Sequence, residues 1–230
     1  MVLQDRQLKI IEILKKEHSA NVKFLAKKLY ASEATIRRDL RELHSLGLIE
    51  RNHGGAILPN NTNEVSMYIR MVKNAKSKQR IATKALRELP KFNSVFIDSS
   101  STALALAERM DLSFKNVVTN NLQTALQLTK KENINLIFVG GNIGYGAIST
   151  TGSWTVRQIQ EFCFDLMLLS CSAILGEEVY ERSLEQREIK LAAFQRSKKR
   201  ILLVDSSKYK AKATHKLANL EDFDLVITED

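Results

Sequence analysis

The chain has no long apolar run. Nothing in it approaches the roughly 20 consecutive apolar residues that a membrane span needs, so no membrane contact is expected. The opening MVLQDRQLKIIEILKKEHSA sets charges inside its apolar pattern, which argues against a signal peptide. Cysteine is scarce: Cys163 and Cys171 are the two present. If their shared apolar stretch is a strand, they stand about 26 Å apart at ~3.3 Å per residue, beyond the reach of a disulfide. Two reduced core thiols, in a cytoplasmic protein, are the expectation. The four histidines are scattered and no His/Cys group has zinc spacing, so no metal site is expected. No G-x-x-x-x-G-K-[ST] stretch exists, which argues against nucleotide hydrolysis. GGNIGYG (140–146) lacks the G-x-G-x-x-G spacing of a dinucleotide loop, so no cofactor is expected. Internal repeats and low-complexity tracts are absent as well.

What is present is a basic excess of one region. The net charge is +9, and 44% of the 230 residues are apolar, enough for one or two cored domains. Residues 1–58 hold 11 Lys+Arg against 7 Asp+Glu, residues 59–90 hold 7 against 2, and residues 91–230 hold 17 against 17. The whole excess therefore lies in the first 90 residues, an asymmetry that points to a polyanionic partner at one end. Apolar residues from Asp5 to Lys16 and from Asn21 to Tyr30 recur at helical spacing, and Ser32 opens a third helix that stops at Gly47. LIERNHGGAILP alternates around His53-Gly54-Gly55, a hairpin signal in which the glycines are expected to turn at positive φ. Three short helices and a hairpin predict a winged helix-turn-helix domain over 1–58. The polar PNNTNE (59–64) begins a linker over 59–74, and residues 65–89 look helical and basic. Beyond residue 90, SVFID, NVVT, INLIFV, FDLMLLS, RILLVD and FDLVIT are short apolar runs separated by helical patterns. They predict a Rossmann-like α/β domain over 75–230, with a parallel sheet covered on both faces.

In the third helix, Ile36, Leu40 and Leu43 form one buried stripe, while Ala34, Arg38 and Arg41 face away from it and Thr35 and Arg37 flank them. Small residues, a hydroxyl and guanidinium groups suit the major groove, where arginine bonds guanine edges and Thr or Ala meets a thymine methyl. The helix start at Ser32 offers N–H groups to phosphates, and Arg51 and His53 sit where a wing would reach a neighbouring groove. Taken alone, TIRRDLRE also describes an amphipathic helix with solvated arginines. With the preceding helices, the wing and the charge asymmetry, the partner expected is double-stranded operator DNA, read by a dimer or tetramer because one winged helix reads few bases. FLAKKLYASEATIRRDLRELHSLGLIERNHGGA resembles the winged helix-turn-helix of the DeoR family of bacterial transcription regulators, with its LA-containing second helix, TIRRDL recognition helix and terminal HGGA. YASEAT departs from the family's Val-Ser but keeps the cap residue Ser32.

The strands of the second region end in polar residues: Ser99-Ser100-Ser101-Thr102, Asn120-Asn121, Gly140-Gly141, Cys171-Ser172 and Ser206-Ser207-Lys208. In a parallel sheet these ends share one edge, where open α/β sheets bind ligands, and hydroxyls, N–H groups and Lys208 there suit a small phosphorylated metabolite. Ordinary loop chemistry gives polar strand ends too. KQRIATKA, IDSSSTALALAERM, VVTNNLQTALQL, IFVGGNI, SLEQREIKLAAFQRSKKRILLVDSSKY and FDLVITED resemble the DeoR-family sensor domain. That resemblance implies a fold similar to ribose-5-phosphate isomerase and glucosamine-6-phosphate deaminase. It implies a phosphate loop of Asp98, Ser99, Ser100, Ser101 and Thr102, a pocket lined by Thr119, Asn120, Gly140 and Gly141, and contacts from Glu185, Lys190 and Lys208. The family loop reads Asp-Ser-Gly-Thr-Thr; here Ser100 sets a Cβ where the family has bare backbone. Asp98, Glu185, Asp205 and Lys208 are also candidates for acid and base groups, but no catalytic pair stands out by spacing. A metabolite-gated regulator without enzymatic activity, a repressor of carbohydrate genes in the family's common mode, ranks first. A DNA-binding protein whose carboxyl domain only oligomerises, and a sugar-phosphate isomerase or deaminase, stand behind it.

Overall fold

The computed structural model describes residues 3–58, 65–143 and 148–230, and divides the chain into two compact units, Met1–Val72 and Lys73–Asp230. The first runs α1 (Asp5–Glu17), β1 (Ser19–Asn21), α2 (Val22–Lys28), α3 (Glu33–Ser45), β2 (Glu50–Asn52), β3 (Gly55–Ile57) and α4 (Met67–Val72). Its helices start where side chains can cap them. Asn21 Oδ1 accepts the Phe24 N–H at 2.8 Å, and Ser32 Oγ accepts the Thr35 N–H at 3.1 Å. α3 ends at Gly47, whose φ of 67° is cheap only for glycine. The Gly47 N–H bonds His44 O and the Leu48 N–H bonds Leu43 O, both at 2.9 Å, with Leu43 and Leu48 buried together. That double closure seals the helix carbonyls and turns the chain into the wing. The three strands pair antiparallel in the order β1-β3-β2. Ile10, Ile11, Leu14, Leu25, Ile36, Leu40, Leu43 and Ile49 fill the core.

Three details differ from what the sequence led one to expect. Of the stretch read as linker, 59–64 lies outside the described residues, while residues 67–72 form α4, where Met67 is fully buried and Tyr68 and Ile69 pack on the first unit's core. The single basic helix expected at 65–89 is two, because Asn74 takes a left-handed φ of 55° between them. The wing glycines do not turn at positive φ either. Gly55 is needed for close approach instead: a Cβ there would stand 2.0 Å from the backbone oxygen of Ala20 on β1.

The second unit runs α5 (Ala75–Glu88), β4 (Ser94–Ile97), α6 (Ser101–Ala107), β5 (Asn116–Thr119), α7 (Leu122–Leu128), β6 (Asn135–Phe138), β7 (Asn142–Ile143), β8 (Thr150–Thr151), α8 (Ser153–Gln160), β9 (Phe164–Leu169), β10 (Ala173–Leu175), β11 (Glu178–Glu181), α9 (Leu184–Gln195), β12 (Ser197–Leu203), a 3-10 turn (Ser206–Lys210), β13 (His215–Asn219) and β14 (Leu225–Ile227). The six apolar runs became one sheet, ordered β6-β5-β4-β9-β12-β14 and parallel throughout. Counted along the sheet's own six strands that is 3-2-1-4-5-6, the Rossmann order. Alternate residues serve alternate faces. Phe96, Val118, Met167, Leu169 and Leu202 pack with α8 and α9 residues such as Ile159 and Ile189. Val95, Ile97, Val117, Leu166, Leu168 and Leu203 pack with α5 and α6 residues such as Ile81 and Leu106. The strand order reverses between β4 and β9, which brings the ends of both to one point, the place where such sheets bind ligands. A second, antiparallel sheet β10-β11-β13, not foreseen from the sequence, lies beyond that edge in the chain. Cys171 is buried as expected, but Cys163 is exposed, accepting from Arg196 Nη2 at 3.1 Å just before β9 begins.

Candidate functional sites

α3 is built as a two-faced rod. Its inner face holds Ile36, Leu40, Leu43 and one acid, Asp39, all buried. Asp39 is clamped by Arg6 of α1, whose Nε donates to Oδ2 and whose Nη2 donates to Oδ1 at 3.1 Å. One turn on, Gln7 Nε2 donates to Glu42 Oε2 at 2.5 Å. These two bridges fix how α3 is rotated against α1, and neither was anticipated; an acid lying in line with an apolar stripe was the available signal. The outer face is open. Ser32, Ala34, Arg37, Arg38 and Arg41 are exposed and Thr35 half-buried; Arg51 on β2 and His53 at the hairpin tip are exposed. Glu33 pairs with Arg37 at 3.1 Å, and Arg41 Nε reaches Arg37 O at 3.4 Å. The guanidinium groups of Arg38 and Arg51 make no hydrogen bond or ion pair among the described residues. All eight residues expected to read DNA thus lie at the surface of the first unit, on α3, its cap and the wing.

In the second unit the polar strand ends meet in one network at the β4–β9 reversal. The Asp98 carboxylate, fully buried, accepts the Ser100 N–H at 2.9 Å and the Ser170 N–H at 3.2 Å, and pairs with Lys190 Nζ at 3.1 Å. Lys190 also donates to Glu181 Oε1 at 2.5 Å and Ser170 O at 2.6 Å, so its three N–H groups are engaged within the protein. Burial alone would push its ammonium down; the Glu181 and Asp98 carboxylates outweigh this and hold it above the ordinary lysine value. Ser172 Oγ donates to the other Glu181 oxygen at 2.6 Å. Ser99 Oγ donates to Gln186 Oε1, and Gln186 Nε2 to Ser149 Oγ, both at 2.8 Å. Ser100 is extended, with φ −83°, and its hydroxyl caps α6 by accepting the Ala103 N–H at 3.1 Å. No left-handed turn exists there, so the serine at the family's glycine position is unstrained. Ser101 and Thr102 are buried in the first turn of α6.

Thr119 Oγ1 accepts the Asn121 N–H at 3.2 Å, and Asn120 Nδ2 donates to Thr150 O at 2.9 Å. Asn120 Oδ1, Asn121 Nδ2 and Ser170 Oγ are buried with no hydrogen-bond partner among the described residues. Lys208 is half-buried, and its ammonium makes no hydrogen bond or ion pair among the described residues. Burial lowers its pKa, opposed chiefly by the charge of Asp205. Three expected residues stand apart from this network. Gly140 and Gly141 serve packing against α8: Gly140 N–H reaches Gln158 Oε1 at 3.1 Å, and a Cβ on Gly141 would meet Thr155 Oγ1 at 1.9 Å. Glu185 is exposed, and the Ser183 hydroxyl, donating at 2.7 Å, draws its pKa down. Gly144 to Ala147, the rest of the glycine-rich stretch, lie outside the described residues. Glu181 and Gln186 were missed from the sequence. EVYE alternates, placing Glu181 on the buried side with Val179, and Gln186 precedes Lys190 by one helical turn, so both had a periodic signal.

A winged helix-turn-helix with an open cationic face, continued in one chain by a Rossmann-like unit with a polar strand edge, defines the class: a DNA-binding regulator with a second, ligand-type domain. Residues 6–62 match the DeoR-like helix-turn-helix domain, and residues 73–230 match the DeoR C terminal sensor domain. The chain belongs to the DeoR family of transcriptional regulators. It is 31% identical to the HTH-type transcriptional regulator GolR of Listeria innocua, over 98% of this chain and 90% of that one. It is 32% identical to the glycerol-3-phosphate regulon repressor of Escherichia coli K12, over 96% and 88%, and 29% identical to the L-fucose operon activator of that organism, over 98% and 94%.

Proposed function

We propose that this regulator represses genes of carbohydrate metabolism by binding operator DNA as a homo-oligomer, and that a small phosphorylated metabolite at the carboxyl edge of the parallel sheet releases it. The observation that carries the reading is the outer face of α3. Arg38 and Arg41 project with Ala34 and Thr35 from a helix whose rotation is fixed by the Arg6–Asp39 clamp. Ser32 starts that helix toward a phosphate, and Arg37, Arg51 and His53 flank the contact. The metabolite's anionic group sits at Lys208, with the Asp98–Thr102 loop and Thr119–Asn120 beside it. Lys190 positions Asp98 and Glu181 and does not itself touch the ligand. A repressor fits the glycerol-3-phosphate regulon repressor among its relatives, and the L-fucose operon activator marks activation as the other sign. No chemistry is assigned: Asp98 is enclosed by three donors, Glu185 faces solvent, and among the described residues no acid–base pair addresses a common point. Among the described residues no helix is long and apolar enough to cross a membrane, and the site of action is the cytoplasm.

Selection of genomic fragments by the purified full chain tests the DNA reading. Bound fragments should release with salt at a slope of about −0.9 per phosphate contacted, and Arg38→Ala should lose roughly 1–3 kcal/mol of sequence discrimination. Salt-insensitive or unselective binding, or an unchanged Arg38→Ala, refutes it. Triose, pentose and hexose phosphates are then added. A true effector at 100 times its Kd stabilises the protein by about 2.7 kcal/mol and weakens fragment binding; Lys208→Ala keeps the fragment and loses the response. A specific observation favours the second reading, a purely oligomerising carboxyl unit: the Ser100 hydroxyl and the Lys190 protons are already engaged within the protein. No thermal shift with any phosphate would decide for it.

A further inference from the structure

The chain enters the α/β unit through an unusual corner. Asn74 lies in the left-handed region, with φ 55° and ψ 32°, a conformation asparagine tolerates better than most residues. It precedes α5 at the capping position, where an asparagine side chain ordinarily accepts a helix N–H, yet it makes no such bond. Its Nδ2 instead donates to Asp205 Oδ1 at 3.0 Å and to Ser207 Oγ at 3.2 Å. The main chain on either side is pinned as well. Buried Lys78 donates Nζ to Lys73 O at 2.6 Å, and its N–H bonds Asn74 O at 3.1 Å.

Asp205 and Ser207 belong to the turn that carries Lys208. Asp205 is buried and starts that turn, accepting the Ser207 N–H at 3.1 Å, while the Lys208 N–H bonds Asp205 O at 3.0 Å. Glu229 holds the other side, accepting the Ser206 N–H at 3.0 Å and its hydroxyl at 2.9 Å. The same carboxylate, Asp205, thus opposes the charge of Lys208 and anchors the corner at residue 74. An anion drawn to Lys208 competes directly with Asp205 for that charge, and any answering shift of Asp205 pulls on Asn74. Two residues earlier in the chain α4 ends at Val72, the last residue of the DNA-reading unit.

We infer that Asn74 is a positioning residue that couples occupancy of the Lys208 site to the DNA-reading unit, through its bonds to Asp205 and Ser207. This rests on the metabolite-sensing reading above. Its regulatory logic is mechanical: the turn rearranges around the bound anion, the Asn74 side chain follows, and the left-handed corner re-aims the chain leading to α4.

Two variants test it in the full chain. Asn74→Gly keeps the left-handed backbone at no steric cost and deletes only the side-chain link. Asn74→Asp keeps size and backbone tolerance but turns a carboxylate toward Asp205. Affinity for the tightest fragment recovered by genomic selection is measured with and without triose, pentose and hexose phosphates, alongside the thermal shift each phosphate produces, with inorganic phosphate for the anion alone. The wild type should lose about 5- to 150-fold in fragment affinity with an effective phosphate, and both variants less than about 2-fold, while that phosphate still raises their melting temperature. A variant that binds the phosphate and releases DNA like the wild type overturns the coupling and leaves sensing intact. A wild type that responds to no phosphate in either readout overturns the sensing reading and the coupling with it. If neither variant shows a cooperative thermal transition, Asn74 is a strut of the fold and the coupling is overturned on that ground.

Discussion

The Arg6–Asp39 clamp predicts an asymmetry between two deletions of one ion pair. Side-chain exposure is 29% for Arg6 and 1% for Asp39. Removing Asp39 leaves a guanidinium already near water, free to swing out and be solvated. Asp39→Ala therefore costs little more than the lost charge-assisted hydrogen bonds, about 1.5–3 kcal/mol, and up to roughly 0.7 kcal/mol returns because alanine favours a helix interior. Removing Arg6 leaves a carboxylate buried against Ile36, Leu40 and Leu43 without its counter-charge, a loss of about 3–5 kcal/mol. Arg6→Ala should thus be the more damaging by roughly 2 kcal/mol at the middle of these ranges, more than a tenfold difference in opening equilibrium. Hydrogen exchange of the α3 peptide in the full chain, followed by mass spectrometry, reads that opening locally, without the complication of a second unit unfolding separately. Both variants should also weaken operator binding, since α3 loses its fixed rotation. Equal protection in the two variants, or less in Asp39→Ala, refutes the argument that the burial of the surviving partner sets the cost.

Other expectations follow from single contacts. Gly55→Ala places a Cβ against the Ala20 oxygen and the Asn21 Cα at 2.6 Å, both backbone, so the wing should lose about 1–3 kcal/mol or more in thermal unfolding; Gly54→Ala, with nothing within 4 Å, should stay within about 0.5 kcal/mol, and the reverse ranking contradicts the packing role. Burial pushes the Cys171 thiol up to about 12 while Cys163 is exposed, so iodoacetamide at neutral pH should label Cys163 in the folded protein and spare Cys171; equal labelling by peptide mass spectrometry disproves this. Asp165 accepts from Lys198 Nζ at 2.9 Å and from the Asn93 N–H at 3.0 Å, which hold its carboxyl well below the ordinary 3.8. A depressed folded value means stability present above the unfolded pKa and lost as pH falls below about 4. Asp165→Asn should accordingly be less stable at pH 7 and show a shallower acid decline of its urea midpoint; parallel declines would exclude this carboxylate as a cause.

The parts of the fold legible in the sequence were those with strong local periodicity. Runs such as INLIFV and RILLVD are buried on both faces, so nearly every residue is apolar and the strand declares itself. β10, β11 and β13 do not: β10 is only the three residues Ala173–Leu175, half or more of β11 and β13 is polar, and the β11–β13 ladder shifts register between Val179 and Tyr180. The break at Asn74 was invisible because MYIRMV and the helix after it share one basic, helical texture, and only the tertiary bonds to Asp205 and Ser207 explain a left-handed residue between them. Loops rich in serine and asparagine do lie together at the carboxyl edge of the sheet, as the sequence implied. Which cation was engaged and which stood open was not legible, because Glu181 reaches Lys190 from a hairpin strand that the sequence reading had not assigned. Cys163 was misplaced for a related reason: its neighbours are apolar, but it precedes the first paired residue of β9 and so never enters the sheet.

The serine at position 100 shows what the family's glycine position asks of this chain. Its backbone is extended, so no residue type is excluded by conformation, and its hydroxyl contributes a cap worth about 1 kcal/mol to α6. The same hydroxyl is already engaged in that cap. Charge then decides where an anion can sit. Asp98 and Glu181 enclose Lys190 with one negative charge in excess, and Asp205 faces Lys208 across the neighbouring strand end. A phosphate placed over Asp98 would meet two carboxylates whose shared cation is already committed, and between groups this deeply buried that repulsion is screened little. Placed at Lys208, it meets a half-buried ammonium with no hydrogen-bonded partner among the described residues and relieves the desolvation that lowers that group's pKa. The electrostatics therefore favour the β12 turn over the β4 loop as the seat of an anion, and that turn is the element bonded to Asn74.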